Sequence, residues 1–232
     1  AAVVLADGRG PASGGEGPGA APLAGVGCLR LVPPPGGEPV AWGALDDVVM
    51  GGVSRSAMRD GAGGPVFAGV VREENNGGFA SVRTRNFEPP LDLSGFAGIR
   101  LRVRGNGLRF KFILRTDTAW DGPSYCKSFD TAASEWQTVD VRFEDLLPTM
   151  RARILPDGPP ADPSRVTSIQ LMLSKFEYDG QLNPSFRAGA FELPVASIEA
   201  FRDSPVPVVR CAGSGTSSPA EIAKQVQATV PG

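Results

Sequence analysis

The sequence predicts an all-β fold, an antiparallel sandwich or jelly roll. Short runs of alternating apolar and polar residues recur along its middle, and Pro- and Gly-rich breaks separate them, from a chain total of 30 Gly and 22 Pro in 232 residues. Helical periodicity is scarce. A chain of this length with 41% hydrophobic residues can bury one sizeable core, so one domain with tails fits better than two small ones. Residues 1–41, rich in Gly, Pro and Ala, are expected to be flexible. Residues 42–202 are expected to form the sandwich, and 203–232 a C-terminal extension with a short helix.

The elements follow in order. Leu29-Arg30-Leu31-Val32 reads as a first edge strand before Pro33-Pro34-Pro35. Trp42 to Ser54 enters the patterned region with an aromatic anchor, adjacent acids at Asp46 and Asp47, a short apolar run and the pair Gly51-Gly52. Pro65–Arg72 and Phe79–Arg85 flank Asn75-Asn76-Gly77-Gly78, whose residues accept positive φ, and the spacing predicts a hairpin. Pro89-Pro90 closes that unit. Ile99, Leu101 and Val103 alternate with Arg100, Arg102 and Arg104, and after Gly105-Asn106-Gly107 the apolar face continues through Leu108, Phe110, Phe112 and Leu114. This is the strongest hairpin signal in the chain. Further strands are expected at Tyr125–Phe129, Gln137–Phe143, Ile169–Leu173 and Phe191–Leu193, with one helical turn within Glu144–Met150. Ser218-Pro219-Ala220-Glu221 is a capping box with Pro at the first helical position, predicting a helix from Pro219 to about Thr229.

Composition excludes several functions. The chain has no histidine, which removes His-based triads, imidazole metal ligands and an imidazole proton shuttle. Cys28, Cys126 and Cys211 are odd in number and widely spaced, arguing against a disulfide framework or a thiolate metal site and for a reducing compartment. Charge is balanced at a net of -2, so no global field recruits nucleic acid or membrane. Apolar runs fall short of the roughly 20 residues of a membrane-spanning helix, and the expectation is a soluble chain without a transmembrane segment.

Four constellations remain. Asp46 and Asp47 have the composition of an acid–base pair or a Ca²⁺ site, but neighbours on an extended segment point to opposite faces, and turn formation with Gly51 and Gly52 competes. Arg100, Arg102, Arg104, Arg109, Lys111 and Arg115 form the expected basic outer face of the 98–116 hairpin. That face suits docking to an acidic protein surface, with weak contact to anionic lipid or RNA; the competing reading is solvated surface neutralised by Thr138–Glu144, whose Asp140, Arg142 and Glu144 would also face outward. Tyr178, Asp179, Asn183 and Phe186 lie in a turn-rich loop suited either to reading a sugar or to pinning itself onto the core. Gly213–Ser217 could cradle a phosphate but lacks P-loop spacing, so a linker is favoured.

Taken together, Asp46–Ser54, Asn75–Phe79, Trp136–Val139, Gln170–Gly180, Asn183-Pro184 and Phe191–Leu193 resemble the complex I intermediate-associated protein family, over roughly residues 42–201. The resemblance implies a galactose-binding-like jelly-roll β-sandwich in a non-enzymatic assembly factor without a cofactor, whose partners are protein subunits of a membrane-associated electron-transfer complex. The chain looks most like the photosynthetic branch. This implies a chloroplast, stromal or thylakoid-associated, over a mitochondrial matrix. In that branch the domain can interrupt a short-chain dehydrogenase-like protein, and Ala2–Leu5 and Val206–Val209 could be strands of such a host. Neither flank carries GxGxxG or Tyr-x-x-x-Lys, so no nucleotide chemistry is expected. In the resemblance Trp42, Asp46, Asp47, Gly51 and Gly52 mark entry into the fold. A carbohydrate- or ligand-binding module is the competing class.

Overall fold

A computed structural model describes residues 29–32, 40–119 and 122–203. The chain divides into two units, 1–202 and 203–232, and the fold below belongs to the first. The expected helix from Pro219 and the runs at 2–5, 206–209 and 213–217 lie outside the described residues, as does most of the expected flexible segment 1–41.

In chain order the strands are β1 (Leu29–Val32), β2 (Trp42–Ala44), β3 (Arg55–Gly61), β4 (Gly64–Val71), β5 (Phe79–Thr84), β6 (Gly98–Arg104), β7 (Arg109–Arg115), β8 (Ser124–Asp130), β9 (Trp136–Arg142), β10 (Leu147–Met150), β11 (Arg153–Ile154), β12 (Ser168–Ser174) and β13 (Gly189–Phe201). Helical structure in the described residues is confined to single 3-10 turns, including Phe143–Asp145 near the expected helical turn. The strands form two antiparallel sheets, a jelly-roll sandwich. One sheet runs β3-β4-β13-β6-β9 with β1 also paired to β13, and the seven-stranded sheet runs β11-β10-β8-β7-β12-β5-β2.

The core lies between them. The first sheet supplies Phe67, Ile99, Leu101, Val103, Phe191 and Leu193, and the second Val82, Phe110, Phe112, Leu114, Ile169 and Leu171, all buried. Alternation along each strand sends these residues to the inner face. Phe110 meets Phe67, Phe129 and Phe191 at ring-centroid distances of 6.3, 6.1 and 6.3 Å, so aromatic rings bridge the two sheets.

Two expected hairpins are corrected. β6 pairs with β13 and β9, while β7 pairs with β8 and β12. β4 pairs with β3 and β13, while β5 pairs with β12 and β2. In both cases the turn carries the chain from one sheet to the other. The turn chemistry is nonetheless as expected: Asn75, Asn76, Gly78 and Gly107 all take positive φ. Alternation with Asn and Gly between two runs is satisfied equally by a hairpin in one sheet and by a crossover that keeps both apolar faces on a shared core. Gly105 shows why the crossover is tight, since a Cβ there would lie 2.0 Å from the Thr131 side chain. The expected edge strand at 29–32 is present, so sandwich structure begins within the segment assigned as flexible.

Candidate functional site

Asp46 and Asp47 sit where β2 gives way to a 3-10 turn, Asp47–Met50, and both carboxylates are consumed by the protein's own donors. Asp47 is 1% exposed and accepts from Ser54 N and Oγ at 2.9 and 2.6 Å, and from Gly78 N and Phe79 N at 2.8 and 3.3 Å. Burial alone would raise its pKa; the donors of Ser54, Gly78 and Phe79 more than offset this and hold the carboxyl below its usual range. Asp46 accepts from Ser56 N and Oγ at 2.8 and 2.6 Å and from Ser81 N at 2.9 Å. The two acids therefore tie the entry turn to the same pair of strands, at the start of β3 and along β5.

Glycines make this arrangement possible. A Cβ on Gly52 would lie 2.4 Å from the Asp47 carboxyl, one on Gly77 would lie 2.6 Å from its Oδ2, and Gly51 closes the turn at φ 90°. The stretches Asp46–Ser54 and Asn75–Phe79 are thus one packing unit built around one carboxylate. Gly52→Ala is expected to lower stability by about 2 kcal/mol, since the methyl displaces Asp47 from its donors; thermal unfolding at neutral pH checks it.

The same turn leaves its apolar residues in solvent. Val48, Val49 and Met50 are 57, 61 and 74% exposed. Val49 among them lines a groove that lies across the outer face of the seven-stranded sheet, with a cavity of about 300 Å³. The floor comes from alternate residues of adjacent strands: Arg83 of β5, Gln170 and Met172 of β12, Lys111, Ile113 and Arg115 of β7, and Ser124 and Cys126 of β8. Thr149, Met150, Arg151 and Ala152 form one wall together with Tyr178, while Leu45, Val49 and Phe79 face it. Alternation reads the floor as outward-facing, yet Ile113, Cys126 and Gln170 are buried because the turn at 47–50, the loop at 176–186 and the β10–β11 turn rise around them.

The six basic candidates are therefore divided between two faces. Arg100 clamps Asp140 through Nε and Nη2, both at 2.7 Å, Arg102 reaches Thr138 Oγ1 at 3.3 Å, and the Arg104 guanidinium stacks 5.5 Å over Trp136. These three lie on the first sheet beside β9, where Asp140 supplies a counter-charge to Arg100. Arg109, Lys111 and Arg115 belong to the second. Arg109 pairs with Asp130 at 2.6 Å and Glu177 at 3.4 Å, at the end of the floor. Lys111 is buried, donates to Phe176 O and Glu177 O at 2.6 and 2.8 Å, and lies 4.7 Å from the Tyr178 ring centroid. Burial pulls its ammonium pKa down, with Glu177 opposing.

The loop candidates brace this site. Asn183 is buried and donates to Arg109 O and Ser174 O at 3.0 and 2.9 Å, and Phe186 packs against the core. Tyr178 forms groove wall, its hydroxyl pKa raised by burial. Asp179 accepts from Ile154 N at 3.0 Å and donates its own N–H to Ala152 O at 3.0 Å, clamping the β10–β11 turn. That turn holds Arg151 and Ala152 at φ 50° and 62°, a left-handed conformation unfavourable for residues with a Cβ. Arg83, Arg151, Gln170 and Met172 were not among the residues singled out from the sequence. Strand register brings Arg83, Gln170 and Met172 together with β7, and the β10–β11 turn adds Arg151.

A family model described as complex I intermediate-associated protein 30 (CIA30) matches residues 36–195. An uncharacterized protein of Schizosaccharomyces pombe is 28% identical over 186 residues, covering 71% of this chain and 82% of its own. Among solved structures, the family 11 carbohydrate-binding module of the cellulosomal cellulase Lic26A-Cel5E of Clostridium thermocellum superposes with a TM-score of 0.55 at 16% identity, over 78% of this chain and 97% of the module. The agarase AgWH50C matches with a TM-score of 0.50 at 11% identity, over 77% of this chain and 25% of the enzyme. At these identities the likeness is one of fold.

Proposed function

Because the chain belongs to the complex I intermediate-associated protein 30 family, we propose that it is a non-catalytic assembly factor that holds a protein subunit of an organellar electron-transfer complex against its seven-stranded sheet. The observation that carries the choice of face is the exposed turn Val48-Val49-Met50. A fixed apolar turn beside a lined groove has the character of a protein-docking surface, an apolar centre bordered by charge. The acids of that turn support the same reading, since Asp46 and Asp47 are occupied with structural donors and offer no base to a substrate.

Family membership supports an organellar setting; the motif resemblance favours the chloroplast over the mitochondrion. Disruption of the gene is expected to lower the assembled complex severalfold while unassembled subunits persist, read by native gel electrophoresis. Restoration by the wild-type chain but not by Val49→Asp/Met50→Asp would tie the defect to this face. An unchanged level of assembled complex would overturn the proposal. A second reading, a carbohydrate-binding module, rests on the groove crossing a sheet of this fold, and retention on a glycan array that is lost on Tyr178→Ala would favour it.

A further inference from the structure

The strand at the edge of a sheet turns alternate peptide groups away from its neighbour, and folded proteins shorten, distort or cover such edges. Most edges of this sandwich are treated in that way. β2 has three residues and β11 two, and β1 has four with a shift in its pairing to β13. β3, at one end of the first sheet, gives its amide at Ser56 to the Asp46 carboxylate at 2.8 Å, and the Ser54 amide just before it goes to Asp47 at 2.9 Å. β9, at the other end, differs. It runs for seven residues, pairs with β6 in unbroken register and contains no Pro, Gly or Lys. Among the described residues no strand pairs with its outer side. Asp140 is no guard charge there, since Arg100 holds it through two bonds of 2.7 Å.

We propose that β9 is a dimerisation edge, at which two copies of this chain pair antiparallel about a two-fold axis at Val139 and join their first sheets into one. The strand's own sequence selects a second copy as the occupant. Val139 is its central residue, so an axis there pairs all seven positions, each with the one equally far from the centre. Val139 meets Val139 and Gln137 meets Val141. On the outer face Thr138 meets Asp140 of the second copy, a hydroxyl donor opposite a carboxylate, and Trp136 meets Arg142, a cation beside an aromatic ring that is 36% exposed. Like charges do not stand opposite one another, and one acid with one base gives the strand no net charge, so approaching copies do not repel. Moving the axis to Asp140 would set two carboxylates face to face, which fixes the register. β3 and β9 end the first sheet on opposite sides, and the turn Asp47–Met50 leads into β3. The dimer therefore leaves Val48–Met50 of each copy uncovered, and the inference stands apart from the docking of a subunit.

The test is sedimentation velocity of the full chain under reducing conditions from about 1 to about 200 μM, a range that spans the affinities of small interfaces. The mass is expected to rise towards twice that of a single chain, and hydrogen exchange at the two ends of the series to show protection gained by the β9 amides. Thr138→Glu sets a carboxylate opposite Asp140 at both symmetric positions, while in its own chain it meets Arg102, whose Nη1 already reaches Thr138 Oγ1 at 3.3 Å. It is expected to keep the thermal unfolding of the wild type and to weaken association at least about tenfold. Thr138→Lys, with an ammonium opposite the same carboxylate, is expected to associate at least as tightly as the wild type. Arg59→Glu, on β3 at the opposite edge, serves as the control that leaves association unchanged. A single-chain mass at every concentration overturns the proposal and leaves the edge to a different protein. So does equal association of Thr138→Glu and Thr138→Lys, association without protection of the β9 amides, or a loss in Arg59→Glu equal to that in Thr138→Glu.

Discussion

Asp47→Asn is expected to destabilise the domain by about 3 kcal/mol at neutral pH, as measured by denaturant unfolding. The substitution preserves shape but exchanges two carboxylate oxygens for one carbonyl and one amide. Asp47 receives four donors, so at least one N–H or O–H must then face an NH₂ group inside the fold. The carboxyl pKa is lowered in the folded chain, so its contribution is present above the unfolded value of about 3.9 and is lost as pH falls through the folded value. The gap between wild type and Asp47→Asn should therefore be widest near neutrality and close on the acid side of pH 4. A gap that persists unchanged into strong acid would show that shape, not charge, sets the cost.

Phe110→Ala is expected to cost about 4 kcal/mol. Phe110 is fully buried on β7, and its ring contacts reach Phe67 and Phe191 of the facing sheet as well as Phe129 beside it. Truncation opens a cavity whose walls belong to two sheets and cannot collapse without moving both. A loss below about 1.5 kcal/mol would mean that the sheets close over the site, contrary to the packing described. Ile113, one position off the core face on the same strand, lies in the groove floor, and Ile113→Ala should cost distinctly less.

These two residues mark what could be read without a structure. Phe110 declares itself through alternation, which is local and cheap to detect, and the sandwich class with most strand positions follows from it. Asp47 was legible as a turn-former because adjacent residues on extended backbone diverge. That its partners are Gly78 and Phe79 was not, since the bond joins segments more than thirty residues apart. The same limit misassigned the turns at 75–78 and 105–107. Alternation records which face is buried, not which sheet the strand joins, and the pairing of β6 and β7 is decided by β13 and β12 from the far end of the domain. With that pairing wrong, Arg100 and Lys111 shared one face in the sequence and occupy opposite faces in the fold. Arg83 and Gln170 became visible as site residues only when register set them side by side. Val48, Val49 and Met50 were legible only as a short apolar run; their exposure follows from the geometry that Asp47 and Gly52 impose on the turn.

The central claim, that a protein partner sits on the seven-stranded sheet, is tested most directly by a photo-crosslinking residue placed at Val49 and, separately, at Arg102. After irradiation in the source organelle, Val49 is expected to capture a subunit of the electron-transfer complex in high yield and Arg102, on the other sheet, to capture none. Capture of that subunit from Arg102 with none from Val49 would contradict the account.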